Sequence, residues 1–294
     1  MIIVKLEGGL GNQMFQYALG RNLSLIYGVP LKLDTSYLRQ TNQSGRSFGL
    51  HHFNITAPEA DRKEIAAYRS VPQKVLDRLR PRLLRKKILE RSPDFDSNVA
   101  TEQFEPRVLA ISDGYFVGHW KNEKYFEENA GIIRHEFTLK EPFSPAAARV
   151  AKKIAGAGYP ASVHIRRGDY VGVSKIAKVM RALPVSYYKE ACDIVLKKSP
   201  DARFFVFSDD IAWAKENFPK TYDTEFVSAP DIADYEELAL MSGCKANTIA
   251  NSTFSWWAAW LNRHNDKTVI APKQWFNDPR RDSPDLIPKT WIPL

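Results

Sequence analysis

The sequence predicts an α/β protein with parallel sheets, on three observations. Short apolar runs alternate with segments of helical periodicity through the second half, as βαβ units do. Three polar clusters, His164–Asp169, Ser208–Asp210 and Asn251–Ser255, each directly follow a predicted strand. At the N-terminus a strand, a glycine turn and a long helix come in immediate succession. In an open parallel sheet the carboxyl ends of the strands line one crevice, so the three clusters are expected to converge there.

The elements read in order as follows. Ile2–Leu6 is a strand, Gly8–Gly11 breaks it, and Asn12–Tyr27 is a helix. Leu31–Asp34 is a second strand, and residues 57–100 are expected to be helical and charged. A strand is expected within Val108–Val117, then His119-Trp120 and a helix near Glu123–Glu128. Ser144–Ala155 is a helix with Ser144 as N-cap and Pro145 in the first position. Gly156–Pro160 reads as the linker between two domains. Strands follow at Ser162–Ile165, Arg203–Phe207 and Ala246–Ala250, with helices at Val185–Lys197, Asp234–Ser242 and a Trp-rich stretch ending at Leu261.

The 294 residues suffice for one large domain or two of ordinary size, and 44% apolar content supplies a core. No apolar run approaches the ~20 residues that span a bilayer. Met1–Glu7 becomes charged too soon for a signal peptide, so a cytoplasmic location is expected. Cys192 and Cys244 form no CxxC or His/Cys cluster and are expected to be free, buried thiols. The net charge of +8 points to an anionic partner. Seven basic residues and one acid, Glu90, lie between Arg78 and Arg91, with Leu76, Leu79 and Leu83 at helical spacing. Two readings stand for this segment: a solvated basic face, or a peripheral grip on an anionic membrane. No nucleic-acid module accompanies it and Pro81 interrupts it, so nucleic acid is not an expected partner.

The chemistry sits in the clusters. Arg166 and Arg167 end a buried strand, where a guanidinium needs an anion. Its planar fork matches phosphate oxygens, and Gly168 permits a sharp turn beside it. Adjacent strand residues point to opposite faces, so one arginine meets the ligand: Arg166, with Arg167 braced by Asp169. Asn251, Ser252, Thr253 and Ser255 open a helix, where they either cap it or leave its N–H groups to phosphate. Trp256, Trp257 and Trp260 are read as core rather than sugar-stacking rings. Asp209 or Asp210 either accepts from a ribose or guanine or caps the helix carrying Trp213. Gly9, Gly11 and Asn12 lie in a turn that lacks the Gly-Lys-Ser/Thr of a P-loop. It either lets a ligand approach backbone N–H groups or simply turns the chain.

Three stretches together resemble the α-1,2-fucosyltransferases of glycosyltransferase family eleven. They are Glu7-Gly-Gly-Leu-Gly-Asn-Gln-Met-Phe-Gln-Tyr-Ala18, His164-Ile-Arg-Arg-Gly-Asp169 and Asn251-Ser-Thr-Phe-Ser-Trp-Trp257. Asn122–Phe126, Phe207–Asp210, Leu238–Cys244 and Ala271–Phe276 follow in the family's order. The resemblance implies a GT-B-like fold of two α/β lobes with a cleft between them. Residues 1–156 would form an acceptor-side lobe, 157–271 the GDP-fucose-binding lobe, and 272–294 a segment packing back on the first lobe. It implies inverting transfer of L-fucose from GDP-β-L-fucose to a galactoside, needing no metal or other cofactor. Arg166 would then contact the pyrophosphate, Ser255 a phosphate, and His164 with Asp209 or Asp210 the guanine.

Asp94-Phe-Asp96 matches a metal-binding DxD only superficially, since no further oxygen ligands accompany it. Departure of GDP puts negative charge on the leaving group, which Arg166 and helix N–H groups must stabilise. The acceptor hydroxyl needs a base, for which Glu7 is the candidate and Asp169 the reserve. A carboxylate braced on an arginine takes a proton less readily, which ranks Asp169 second. The acceptor is expected to be a galactoside-containing oligosaccharide or lipid-linked glycan, as in bacterial O-antigen synthesis. Its determinants are expected in Tyr37–His52 and at His119-Trp120. Another GDP-sugar transferase, or a non-catalytic nucleotide-sugar-binding protein, would share many of these features.

Overall fold

The computed structural model describes residues 1–40, 47–69, 87–91 and 103–294. These form two compact units, Met1–Thr138 with Ser283–Leu286, and Leu139–Asp282 with Ile287–Leu294.

The first unit holds strands β1 (Ile2–Lys5), β2 (Leu31–Asp34), β3 (Lys87–Arg91) and β4 (Gly114–Gly118) in a parallel sheet of order β2-β1-β4-β3. Its helices are α1 (Leu10–Tyr27), α2 (Ser36–Gln40), α3 (Arg62–Arg69) and α4 (Ala130–Glu136). Ile2, Ile3 and Val4 are all buried, as a strand covered on both faces requires. Helix α1 lies so close to the sheet that a Cβ on Gly20 would stand 2.7 Å from both Val4 and Leu31. It ends at Gly28, whose φ of +61° makes a left-handed cap donating to the Ser24 carbonyl. Buried Glu136 ties α4 to α1, accepting from Tyr17 Oη at 2.6 Å and pairing with Arg21 at 2.7 Å.

The helical expectation for 57–100 fails at Lys87–Arg91, which pairs with β4 at the sheet edge. Edge strands tolerate charge, so composition alone made this one look like a helix. The rest of the basic stretch that carries the membrane reading, 78–86 with Leu79 and Leu83, lies outside the described residues, as do Leu76 and Asp94-Phe-Asp96. Short 3₁₀ turns at Glu123–Tyr125 and Glu127–Asn129 replace the helix expected near Glu123–Glu128.

The second unit holds β5 (Tyr159–Ile165), β6 (Ala202–Ser208), β7 (Thr224–Phe226), β8 (Ala246–Thr248), β9 (Thr268–Ala271) and β10 (Ile292–Pro293). All pairs are parallel, in the order β10-β9-β8-β5-β6-β7. The chain moves outward from β5 to β7 and then returns to β8 on the other side of β5. That reversal makes a topological switch point between β5 and β8. Its helices are α5 (Pro145–Gly156), α6 (Gly168–Gly172), α7 (Ser174–Ala177), α8 (Val185–Lys198), α9 (Ile211–Asn217), α10 (Asp234–Ser242) and α11 (Thr253–Leu261).

Ala161, Val163 and Ile165 of β5 join one core with Phe204, Val206 and α8, while Ser162 and His164 alternate onto the other face. Trp256, Trp257 and Trp260 are buried against one another, and Trp256 also meets Trp291, so they are core residues. Cys192 and Cys244 are free and buried. No helix among the described residues is long and apolar enough to cross a membrane.

The expected boundaries shift. Helix α5 belongs to the second unit, because Ser144 at its start bonds Glu236 of α10 through its N–H at 2.6 Å and its hydroxyl at 3.2 Å. The division therefore falls at 138/139 rather than 156/157, and Gly156–Pro160 runs into β5 instead of linking domains. Within 272–294 only Ser283–Leu286 joins the first unit, since β10 pairs with β9.

Gly20→Ala is expected to cost ~1–3 kcal/mol, because the added methyl overpacks the α1–sheet contact. A shifted urea midpoint at constant m-value would show it.

Candidate functional site

Arg166 directly follows strand β5, and its guanidinium is held by two carboxylates. Nε and Nη2 donate to Asp169 Oδ1 at 3.1 and 2.8 Å, and Asp209 Oδ2 lies 3.2 Å from Nε. Burial alone would weaken the charge on Arg166, but Asp209 and Asp169 more than offset it and hold its pKa above the usual value. Both carboxylates sit on the Nε–Nη2 edge, and the side chain is 26% exposed. Among the described residues no hydrogen bond or ion pair engages Nη1, which can serve an incoming anion.

The expected bracing of Arg167 by Asp169 is therefore wrong: Asp169 braces Arg166. The helical turn of α6 starts at Gly168, so Asp169 folds back three residues onto the strand end. Arg167 instead pairs with Asp210 at 3.4 Å and stacks 3.8 Å above the Trp213 ring. Its backbone N–H donates to Asp209 Oδ1 at 2.8 Å, which turns the other oxygen toward Arg166. Gly168 makes room for this carboxylate, since a Cβ there would lie 2.6 Å from Asp209 Oδ2.

Asp210 also accepts from the Trp213 N–H at 3.2 Å, as N-cap of α9. Both acids after β6 are thus engaged in the arginine scaffold.

Across the switch point, α11 begins without a side-chain cap on Ser252. Its first N–H groups and dipole face that end of the sheet. Ser255 is buried and its hydroxyl turns back toward the carbonyls of Ser252 and Ala250 at 3.4 and 3.5 Å. Thr253 sits in the first turn. Asn251 acts as a clip, its amide donating to the carbonyls of Arg181 at 2.8 Å and Trp275 at 2.7 Å. Tyr170 of α6 donates to the Asn251 carbonyl at 2.8 Å, joining the two sides of the switch point. His164 is buried 5.5 Å from the Phe254 ring, with Nδ1 unpartnered among the described residues. Burial, then the charge of Arg166, push its pKa down to about 3, so the ring is neutral.

Glu7, Gly9, Gly11 and Asn12 belong to the first unit. Glu7 pairs with Lys5. The glycine requirement falls on Gly8, with φ +78°, where a Cβ would stand 2.6 Å from Asn12 Nδ2. Gly9 is the N-cap of α1, and Gly11 and Asn12 form its first turn.

The whole chain, residues 1–294, matches glycosyl transferase family 11. The chain belongs to that family. It is 32% identical to an alpha-1,2-colitosyltransferase of Escherichia coli, over 99% of this chain and 98% of the relative. It is also 32% identical to the O-antigen biosynthesis glycosyltransferase WbnK of Escherichia coli, over 98% and 99%. A galactoside alpha-(1,2)-fucosyltransferase 1 of Ateles belzebuth is 28% identical over 47% of this chain and 40% of its own. Among solved structures, POFUT1 in complex with GDP shares the fold at a TM-score of 0.50 and 13% identity, over 92% and 97% of the two chains.

One residue of this family 11 glycosyltransferase escaped the sequence reading. Glu237 on α10 is pushed up to about 7 by burial, against a lowering bond from Ser228, with Asp234 and Asp209 adding to the rise. It follows no motif and lies on a helix of ordinary acidity, so only tertiary burial marks it. Its folded value is above that of a free glutamate, so its contribution to stability is complete below about pH 4.5 and lost as the pH rises through about 7. Glu237→Gln is expected to flatten that slope, read as urea midpoints at about pH 5 and pH 8. Parallel curves for the two proteins would contradict it.

Proposed function

We propose that this glycosyltransferase moves L-fucose from GDP-β-L-fucose to O2 of a β-galactoside, with inversion and without a metal. The observation that carries the reading is Arg166, fixed by two acids beside the uncapped start of α11 at the β5/β8 switch point. Such a site suits a diphosphate leaving group. The bond from the sugar C1 to the diphosphate oxygen breaks and GDP keeps the electron pair. The acceptor oxygen adds from the opposite face and gives up its proton.

Arg166 and the α11 N–H groups take the growing charge, with Ser252, Thr253 and Ser255 lining that start. His164, neutral, addresses the base. Asp209 and Asp210 are engaged with the arginines, so Glu237 is the better carboxylate for guanine N1–H and N2–H₂. Glu7, paired with Lys5, is the candidate base. The setting that fits is bacterial surface-polysaccharide assembly on a lipid-linked glycan at the cytoplasmic membrane face, in line with the WbnK relative.

A second reading keeps the α-1,2 transfer and replaces the donor sugar by colitose, as in the relative that matches 99% of this chain. Colitose lacks the 3-hydroxyl of fucose, and a site built to bond that hydroxyl rejects the sugar without it.

The deciding assay is GDP release from GDP-fucose and GDP-colitose with a panel of β-galactosides, in EDTA, for wild type and Arg166→Ala. The expected result is acceptor-dependent release from GDP-fucose that survives EDTA and falls at least ~10²-fold in the variant. Preference for GDP-colitose would replace the donor, and GDP-fucose binding with no transfer would favour a binding protein. Gly168→Ala, by displacing Asp209, is expected to weaken GDP binding roughly tenfold in calorimetry, the effect of ~1.4 kcal/mol.

A further inference from the structure

The Gly-Asn-Gln-Met-Phe-Gln stretch after β1 places two glutamines one turn apart on α1, and both are buried. Gln16 uses its carboxamide for two bonds and Gln13 for three. Gln16 Oε1 accepts from the Glu7 backbone N–H at 3.0 Å, and its Nε2 donates to the Gly118 carbonyl at 2.9 Å. Gln13 Nε2 donates to the carbonyls of Gly8 at 3.0 Å and Ser47 at 2.9 Å, while its Oε1 accepts from the Gly49 N–H at 3.0 Å. The carboxyl ends of β1 and β4 and the chain at 47–49 are thereby fixed to one helix.

The place is specific. In the order β2-β1-β4-β3 the chain leaves β1 for β2, crosses to β3 at the far edge and comes back to β4 beside β1. Both bonds of Gln16 thus lie at the carboxyl ends of the neighbouring strands β1 and β4, the end of an open parallel sheet outside which ligands bind. Immediately after Gly118 comes strain. Trp120 has φ +47°, and among the described residues it is the one non-glycine in the left-handed region. A buried aromatic in that conformation persists only when its surroundings over-determine it, and such strain concentrates at functional sites. Phe116 and Tyr125 hold the Trp120 ring edge-on at 6.2 and 5.8 Å, and the Gln16 bond fixes the peptide before the turn.

We propose that Gln16 is a positioning residue for the acceptor: it sets the Glu7 backbone and the strained Gly118–Trp120 turn in one register, making the carboxyl ends of β1 and β4 the acceptor platform. This rests on the transferase reading above. The donor machinery around Arg166 lies in the other unit and shares no residue with this platform. Loss of Gln16 is therefore felt by the acceptor and not by GDP.

The test uses the full chain as wild type, Gln16→Leu and Gln16→Glu. Leucine removes both bonds at similar volume. Glutamate keeps an acceptor for the Glu7 N–H and loses the donor to Gly118. Hydrogen exchange is read on peptides covering 5–9 and 116–121, GDP affinity by calorimetry, and kcat/KM with a β-galactoside that the wild type accepts. Gln16→Leu is expected to speed exchange in both stretches and keep GDP affinity within about twofold, while acceptor kcat/KM falls roughly ten- to hundredfold. Gln16→Glu is expected to speed exchange at 116–121 alone, with a smaller kinetic loss. Unchanged exchange at both stretches, or GDP affinity falling in step with acceptor kcat/KM, overturns the proposal. Absence of transfer by the wild type to any acceptor is a failure of the transferase reading instead, and the exchange pattern then decides the Gln16 linkage by itself.

Discussion

The second unit depends on keeping a guanidinium charged at the end of a buried strand. Arg166 follows Ile165, which is fully enclosed, and an unpaired charge there would be costly. Asp169 and Asp209 resolve the cost, and each needs a further feature to do so. Asp169 reaches back because α6 begins at once. Asp209 reaches across because Gly168 has no side chain and because the Arg167 N–H holds its other oxygen. Arg167 in turn is steadied by Asp210 and Trp213. The familiar run of motif residues is thus a support structure in which few members face a ligand.

The first unit uses neutral groups for the corresponding task. Buried carboxamides donate and accept without carrying a charge, so Gln13 and Gln16 can join backbone from distant strands inside a packed interior. The buried carboxylates here are met by partners, Glu136 by Arg21 and Tyr17 and Asp34 by Tyr115. The two units therefore differ in electrostatic character although each is built on a parallel sheet. One concentrates fixed positive charge and helix N–H groups, which suits an anion. The other holds a strained turn and the ends of two strands with uncharged carboxamides.

Much of this was legible in sequence. Helix Asp234–Ser242 appears with the expected ends and the Trp-rich helix stops at Leu261 as expected, because apolar periodicity fixes them locally. The convergence of His164–Asp169 and Asn251–Ser255 followed from their position after strands, and the strand order supplies the switch point they flank. The pairing of the arginines was not legible. Asp169 is three residues from Arg166 and two from Arg167, and which one it meets depends on a helical turn starting at Gly168. Glu237 was invisible because its surroundings come from residues remote in the chain.

The sequence by itself determined the α/β class, the placement of polar clusters at strand ends, the free buried cysteines and the family. These follow from local periodicity, from residue types whose chemistry has few uses, and from motifs in fixed order. Tertiary structure decided the boundary at 138/139, the edge strand Lys87–Arg91, the carboxylate partners of each arginine and the double use of Gln16. The last of these joins groups more than a hundred residues apart, Gln16 and Gly118, and hydrogen-bond partners at that range are set by packing.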